Sequence, residues 1–92
     1  MNNNLYIVDE RILELAEILK EKGKFSFTKG MFDEVGISKQ KVNNVKNYGE
    51  SFTFKQVETI CKKFNVDMNW IFGFQHENPF LKKKKLQLIK QE

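Results

Sequence analysis

Gln40, Asn43, Asn44 and Asn47 are the side chains best equipped to read another molecule. They lie in one stretch, Gly36 to Gly49, that reads as a tight turn, a helix start and a short helix with two unlike faces. Val42 and Val45, at i and i+3, share one side. At about 100° per residue, the four carboxamides gather on the other. Asn is a mediocre helix former, so this is an odd surface for a short helix. A carboxamide offers one acceptor and two donors, and it can bond N6 and N7 of adenine together in the DNA major groove. Gln40 and Asn44 stand one helical turn apart, so both can face the groove. No acid lies between Gly36 and Gly49, whereas Lys39, Lys41 and Lys46 do. The segment predicts a DNA-reading helix, with Lys39, Gln40, Asn43, Asn44 and Asn47 as base contacts.

Around it stand residues suited to phosphate, which position a protein on the duplex without reading sequence. Lys41, Lys46, Tyr48 and Lys55 are of this kind, together with Ser38 at the helix start. Ser51 and Thr53 can add hydroxyls and backbone N–H groups at the opening of the next helix, a natural anion site. The run Lys82 to Lys85 can add non-specific affinity. The competing readings are bland: abundant Asn, a solvated rim of Lys and a solubilising tail.

The elements that must hold these groups follow from periodicity and punctuation. Asp9 is a candidate N-cap for a first helix from about Glu10 to Lys22, with Ile12, Leu15, Ala16 and Leu19 at i, i+3, i+4, i+7. Gly23 ends it. Ser26 or Thr28 opens a second helix running to about Val35, with Met31, Phe32 and Val35 inward. Gly36 turns the chain, Ile37 plugs the core, Ser38 caps the third helix and Gly49 ends it. Ser51 or Thr53 starts a fourth, with Phe54, Val57, Ile60, Cys61 and Phe64 at helical spacing, and Asn65 closes it. Asp67 caps a short fifth helix carrying Met68, Trp70 and Ile71. No strand alternation or internal repeat is visible. The expectation is an all-α, compact bundle of about five short helices. The second and third, joined by a short turn containing Gly, form a central helix-turn-helix.

Composition sets the outer bounds. Ninety-two residues make one small domain with a modest core. The net charge of +4 comes wholly from residues 79–92, because residues 1–78 carry eleven basic and eleven acidic side chains. Within that neutral part the signs segregate: residues 9–22 hold five acids and three bases, and residues 36–63 six bases and two acids. A neutral domain with one basic face suits a polyanion partner. No apolar run approaches a membrane span, and no signal peptide is evident. The single cysteine, Cys61, suits a reducing cytosol and reads as an inert core residue. His76 has no companion for a metal site. With one His and one Cys, little is left for nucleophilic catalysis. Neither an enzyme, a cofactor, a metal nor a small-molecule substrate is expected.

The block Phe32-Asp33-Glu34-Val35-Gly36-Ile37-Ser38, then Val42, Val45, Tyr48-Gly49 and the fourth helix, resembles the phage-repressor and Cro type of helix-turn-helix protein, the XRE family. The ending from Ile60 to Gly73, with its Asn69-Trp70-Ile71-Phe72-Gly73 close, is most similar to the N-terminal domains of CI-like repressors of Bacteroidetes. The resemblance covers about residues 9–73. It implies a lambda-repressor-like fold and matches Lys39, Gln40 and Asn44 to the start and middle of a recognition helix. Thr28 and Lys29 stand where the family usually has Gln or Glu near the start of helix two, so they join the phosphate contacts. Phe32 stands where the family has a small Ala, so that crossing must open or repack. Gly30 lies inside helix two.

These readings divide the chain into an N-terminal arm (1–8), a helix-turn-helix domain (9–74) and a Lys-rich tail (75–92) that can include a dimerisation helix. The expected function is that of a sequence-specific, DNA-binding transcriptional regulator of repressor type, bacterial or phage-encoded and cytoplasmic. Its partners would be double-stranded DNA, with an operator that can be palindromic, and a second copy bound through residues 70–90. Phe72, Phe74, Phe80 and Leu81 lie beyond the expected bundle and can form an apolar patch of the kind that marks association. The alternative is a protein-interaction module on the same fold, antitoxin-like or phage-encoded, with weak or no DNA binding.

Overall fold

Ile12, Leu15, Ala16 and Leu19 are all buried, so the stripe read from the first helix is the wall against which the rest of the chain packs. Ile12, Leu15 and Leu19 each contribute about 1.5–3 kcal/mol on leaving water. In the computed structural model, which describes residues 5–81, the elements are α1 (Ile7–Glu21), α2 (Lys29–Glu34), α3 (Lys39–Asn47), α4 (Phe54–Phe64) and α5 (Met68–Ile71). They form a small all-α bundle. Met31, Ile37, Val45, Ile60, Trp70 and Ile71 complete its centre.

The first helix starts earlier than Asp9 predicts. Tyr6 is the N-cap and makes no side-chain cap bond. The Asp9 carboxylate is buried instead, and accepts the Phe52 backbone N–H at 3.0 Å. The expected arm is therefore shortened from its inner end, since Ile7 and Val8 are helical. Two residues on, Arg11 is buried beside α5. Its Nε donates to the Trp70 carbonyl at 3.0 Å, and its guanidinium carbon lies 4.6 Å from the centroid of the Trp70 ring. Nη2 meets Nδ1 of His76 at 2.6 Å; arginine only donates, so this ring nitrogen accepts.

Two phenylalanine pairs pack α2 and the loop before it against the rest of the bundle. Phe32 stacks on Phe52 with centroids 5.8 Å apart and planes 13° from parallel. Gly30 makes room for Phe25, since a Cβ there would come within 2.8 Å of the Phe25 ring. Phe25 in turn meets Phe64 edge to face at 5.9 Å.

Ser38 caps α3 as its sequence predicts, with Oγ accepting the Lys41 N–H at 3.0 Å. Thr53 and Gln56 close a reciprocal capping box on α4: Oγ1 accepts the Gln56 N–H at 3.1 Å, and Oε1 accepts the Thr53 N–H at 2.9 Å. The box puts Phe54 in the first turn, where it is 77% exposed. Its expected place in the core is taken by Phe52, just before the cap. Asn65 ends α4 in the left-handed region at φ 57°. Asp67 caps α5 through the Asn69 N–H at 2.9 Å.

After α5 the chain turns back. Asp67 donates its N–H to the Pro79 carbonyl at 2.8 Å, and Leu81 donates to the Asn65 carbonyl at 2.9 Å. Val66 and Phe80 form an isolated antiparallel bridge. Residues 75–81 thus belong to the bundle rather than to a tail. Phe80 is half-buried against the core, with Lys22 Nζ 5.8 Å from its ring centroid. Residues 1–4 of the expected arm lie outside the described residues, as do the run Lys82 to Lys85 and residues 86–92.

Candidate nucleic-acid interface

α3 turns Val45 into the core and half-buries Val42, so the flank opposite them faces outward. Gln40, Asn43 and Asn47 are exposed there, and Asn44 is half-buried. The carboxamides associate in pairs one turn apart. Gln40 Nε2 donates to Asn44 Oδ1 at 3.4 Å. Asn47 Nδ2 donates to Asn43 Oδ1 at 2.8 Å. Such i, i+4 bonds hold side chains on the helix surface and leave each pair with further donors and acceptors for an outside partner.

Lys39, Asn43 and Lys46 form the flank nearer α2. With Thr28 and Lys29 from the opening of α2, they line a groove of about 410 Å³. Lys29 is held by Asp33 at 2.7 Å. The far wall of this groove is α1, which presents Glu14 and Glu17, and Leu13, Ala16, Phe32, Ile37 and Val42 make its apolar part. Glu14 and Glu17 are exposed, and they share this groove with α3.

The other flank is compensated rather than basic. Lys41, proposed for phosphate, has a side chain only 15% exposed and reaches Glu50 Oε2 at 2.5 Å. Hydrogen bonds from Lys41 first, and from Asn44 second, hold the Glu50 carboxyl below its ordinary range. The spacing of Lys41 and Glu50, across the Gly49 turn (φ 78°), hid this pair from the sequence reading. Tyr48 is 75% exposed next to that turn.

The start of α4 brings Ser51, half-buried, together with Thr53 and Lys55, both exposed. The Thr53 hydroxyl and the N–H groups of Thr53 and Gln56 are already joined in the capping box. Ser38, likewise, has its hydroxyl oxygen on Lys41 N. The two caps therefore position their helices, and the N–H groups of Phe54 and Lys55 remain as the donors of the α4 opening.

Cys61 is buried, and burial pushes its thiol up to about 11, so it is not a nucleophile at neutral pH. Among the described residues no group of three or more His, Cys, Asp or Glu side chains is arranged to hold a metal ion. None of the described helices is long and apolar enough to cross a membrane. No protein-family model, curated protein or solved structure matches this chain.

Proposed function

We propose that the protein is a DNA-binding regulator that lays α3 in the major groove, with α2, the four-residue turn and α3 acting as a helix-turn-helix. The observation that carries this reading is the outward flank of α3: two pre-formed carboxamide pairs, Gln40/Asn44 and Asn43/Asn47, on a helix with no acidic residue. Bidentate carboxamides favour adenine, so the operator would contain A·T pairs at the positions these residues face. Lys39 and Lys46 flank them, and Lys29, Tyr48 and Lys55 would touch phosphates on either side. The resemblance of residues 9–73 to repressors of the phage type adds support from sequence motifs. Action inside a bacterial cell, as a repressor, is part of the same proposal.

Geometry revises two of the supporting roles. Lys41 serves Glu50 and is withdrawn from the phosphate contacts. Ser38 and Thr53 act through the helix openings they shape rather than through free hydroxyls.

A second reading, a protein-interaction module on the same fold, draws on the wall of Glu14 and Glu17 beside α3, which repels a polyanion. Selection of random duplex DNA by the purified protein at physiological salt separates the two. An enriched motif that Gln40→Ala/Asn44→Ala loses supports base reading. No enrichment by the folded protein supports the second reading. A steep fall of affinity with salt would accompany the first outcome.

A further inference from the structure

A glutamine at a base edge can present either of two patterns to a purine. With Oε1 and one Nε2 hydrogen outward, it accepts from N6 and donates to N7 of adenine. With only Nε2 hydrogens outward, it suits guanine, whose N7 and O6 both accept. Gln40 Nε2 donates to Asn44 Oδ1 at 3.4 Å. One Nε2 hydrogen is thus turned back along α3, and Oε1 remains outward with the other. This pattern lasts only while Asn44 keeps its own oxygen toward Gln40. A free carboxamide exchanges its oxygen and nitrogen by rotating about its last bond, whose wells are broad and two-fold.

Glu50 stands where it can prevent that rotation. The Gly49 turn folds the chain back over the end of α3. The Glu50 N–H donates to the Asn44 carbonyl at 3.3 Å, beside the Tyr48 N–H at 2.9 Å. The Glu50 carboxylate is itself tethered, because it accepts from Lys41 Nζ at 2.5 Å and the Lys41 side chain is only 15% exposed. It also accepts from the Asn44 side chain. A carboxylate has no hydrogen to give, so the Asn44 atom facing it is Nδ2. Oδ1 is then left for Gln40, as the bond between the two carboxamides requires.

We propose that, in the DNA reading on which this rests, Glu50 is a positioning residue: it fixes the Asn44 carboxamide, which fixes that of Gln40, so that Gln40 accepts adenine and rejects guanine. Asn44 is then a strut more than a second reader. It is half-buried where Gln40 is exposed, and both ends of its amide are engaged. Among the described residues no third side chain bonds the Asn43/Asn47 pair, so nothing comparable fixes its orientation. The chain thus uses an acid beside its reading helix, where a polyanion approaches, and gains discrimination between purines from it.

Competition binding of the full chain to duplexes with each base at the position that Gln40→Ala makes indifferent tests this assignment. The parent should prefer adenine to guanine there on the order of tenfold or more. Glu50→Ala should bring the ratio to within roughly threefold, since the amide of Gln40 can then turn to suit either purine. Its affinity for random duplex should hold or rise, because a negative charge leaves the interface. Glu50→Gln keeps an acceptor oxygen and should retain part of the preference. In NMR of the parent without DNA, nuclear Overhauser contacts should join the Asn44 side-chain amide hydrogens to the Glu50 γ hydrogens. A parent that selects no sequence overturns DNA reading, and the role of Glu50 with it. A parent whose preference survives Glu50→Ala, or is untouched by Gln40→Ala, overturns the role of Glu50 alone. So do a folded parent without those contacts, Glu50→Gln and Glu50→Ala losing the preference equally, and an equal loss on every duplex in Glu50→Ala, the mark of a merely structural residue.

Discussion

The Asp9 carboxylate and the Phe52 amide are joined by a buried hydrogen bond of 3.0 Å that spans 43 residues of chain. It fastens the first turn of α1 to the segment that enters α4. It also seats the Phe52 ring, on which Phe32 stacks. The loop leading from α3 to α4 is thereby tied to the opposite side of the bundle.

Removing that acceptor should therefore cost more than an ordinary surface substitution. Asp9→Ala leaves a buried N–H unpaired and should destabilise by about 2 kcal/mol, since a bond to a charged group carries about 1.5–3. In thermal unfolding the midpoint should drop by roughly 10 °C for a domain of this size. Asp9→Asn, which keeps an acceptor oxygen, should fall between. An unchanged midpoint in Asp9→Ala would show that water replaces the carboxylate.

Gly30→Ala reverses the usual rule for a helix interior, where the change stabilises by about 1 kcal/mol. The new Cβ would lie 2.8 Å from Phe25 Cδ1 and 3.0 Å from Phe25 Cβ, and the ring cannot retreat freely because it is set on Phe64. Overpacking costs about 1–3 kcal/mol, so a net loss is expected in urea unfolding. Phe25→Ala in the same chain should abolish the penalty that Gly30→Ala imposes.

Glu50 predicts an acid-sensitive contribution to stability. Its carboxyl is held below the ordinary range by the hydrogen bond from Lys41 and then by Asn44. The charged form is thus favoured by folding. The contribution is complete above the unfolded value of about 4.3 and is lost as pH falls through the lower folded value. Stability measured by denaturant between about pH 5 and pH 3 should decline less steeply in Glu50→Gln than in the parent. The same substitution frees Lys41 beside α3. If DNA is bound as proposed, its salt dependence should steepen by about one counterion.

Base and phosphate contacts should separate in binding assays. Gln40→Ala or Asn44→Ala should cost about 1–3 kcal/mol on the selected operator and little on random duplex. Lys55→Ala should weaken both equally and flatten the salt slope by about one. Equal losses for all three variants on both kinds of DNA would exclude reading by α3.

Local signals carried most of the fold. The α1 stripe, the Ser38 cap, Gly23 and Gly36 at positive φ, and Asn65 at φ 57° all stand where residue type and spacing place them. The differences arise where tertiary partners decide. Asp9 suits a cap by type, but its carboxylate is claimed by Phe52. Phe54 satisfies helical spacing with Val57, yet the capping box makes Phe52 the N′ residue and Val57 the N4 residue of a hydrophobic staple, and those two are the buried ones. The motif Thr53-x-x-Gln56 flanked by these positions carries that signal. The i, i+3 spacing of Arg11 and Glu14 is a local signal, but the burial of Arg11 has none, because its other partners are Trp70 and His76. For the candidate interface, the outward set on α3 was legible from angle alone, whereas the Lys41–Glu50 pair and the approach of Glu14 and Glu17 depend on turns and crossings that periodicity does not encode.

The two buried charged residues of α1 also set a timetable. Asp9 finds its partner 43 residues later, and Arg11 finds its own 59 and 65 residues later. During synthesis α1 is therefore the first helix made and the last to be secured. Until Trp70 and His76 have left the ribosome, the Arg11 guanidinium has Glu14 and water beside it but not the acceptors that admit it to the interior, which opposes closure of the core. Such long-range closure is unusual for a small helical protein. It ties closure of this bundle to synthesis of α5 and the residues just after it.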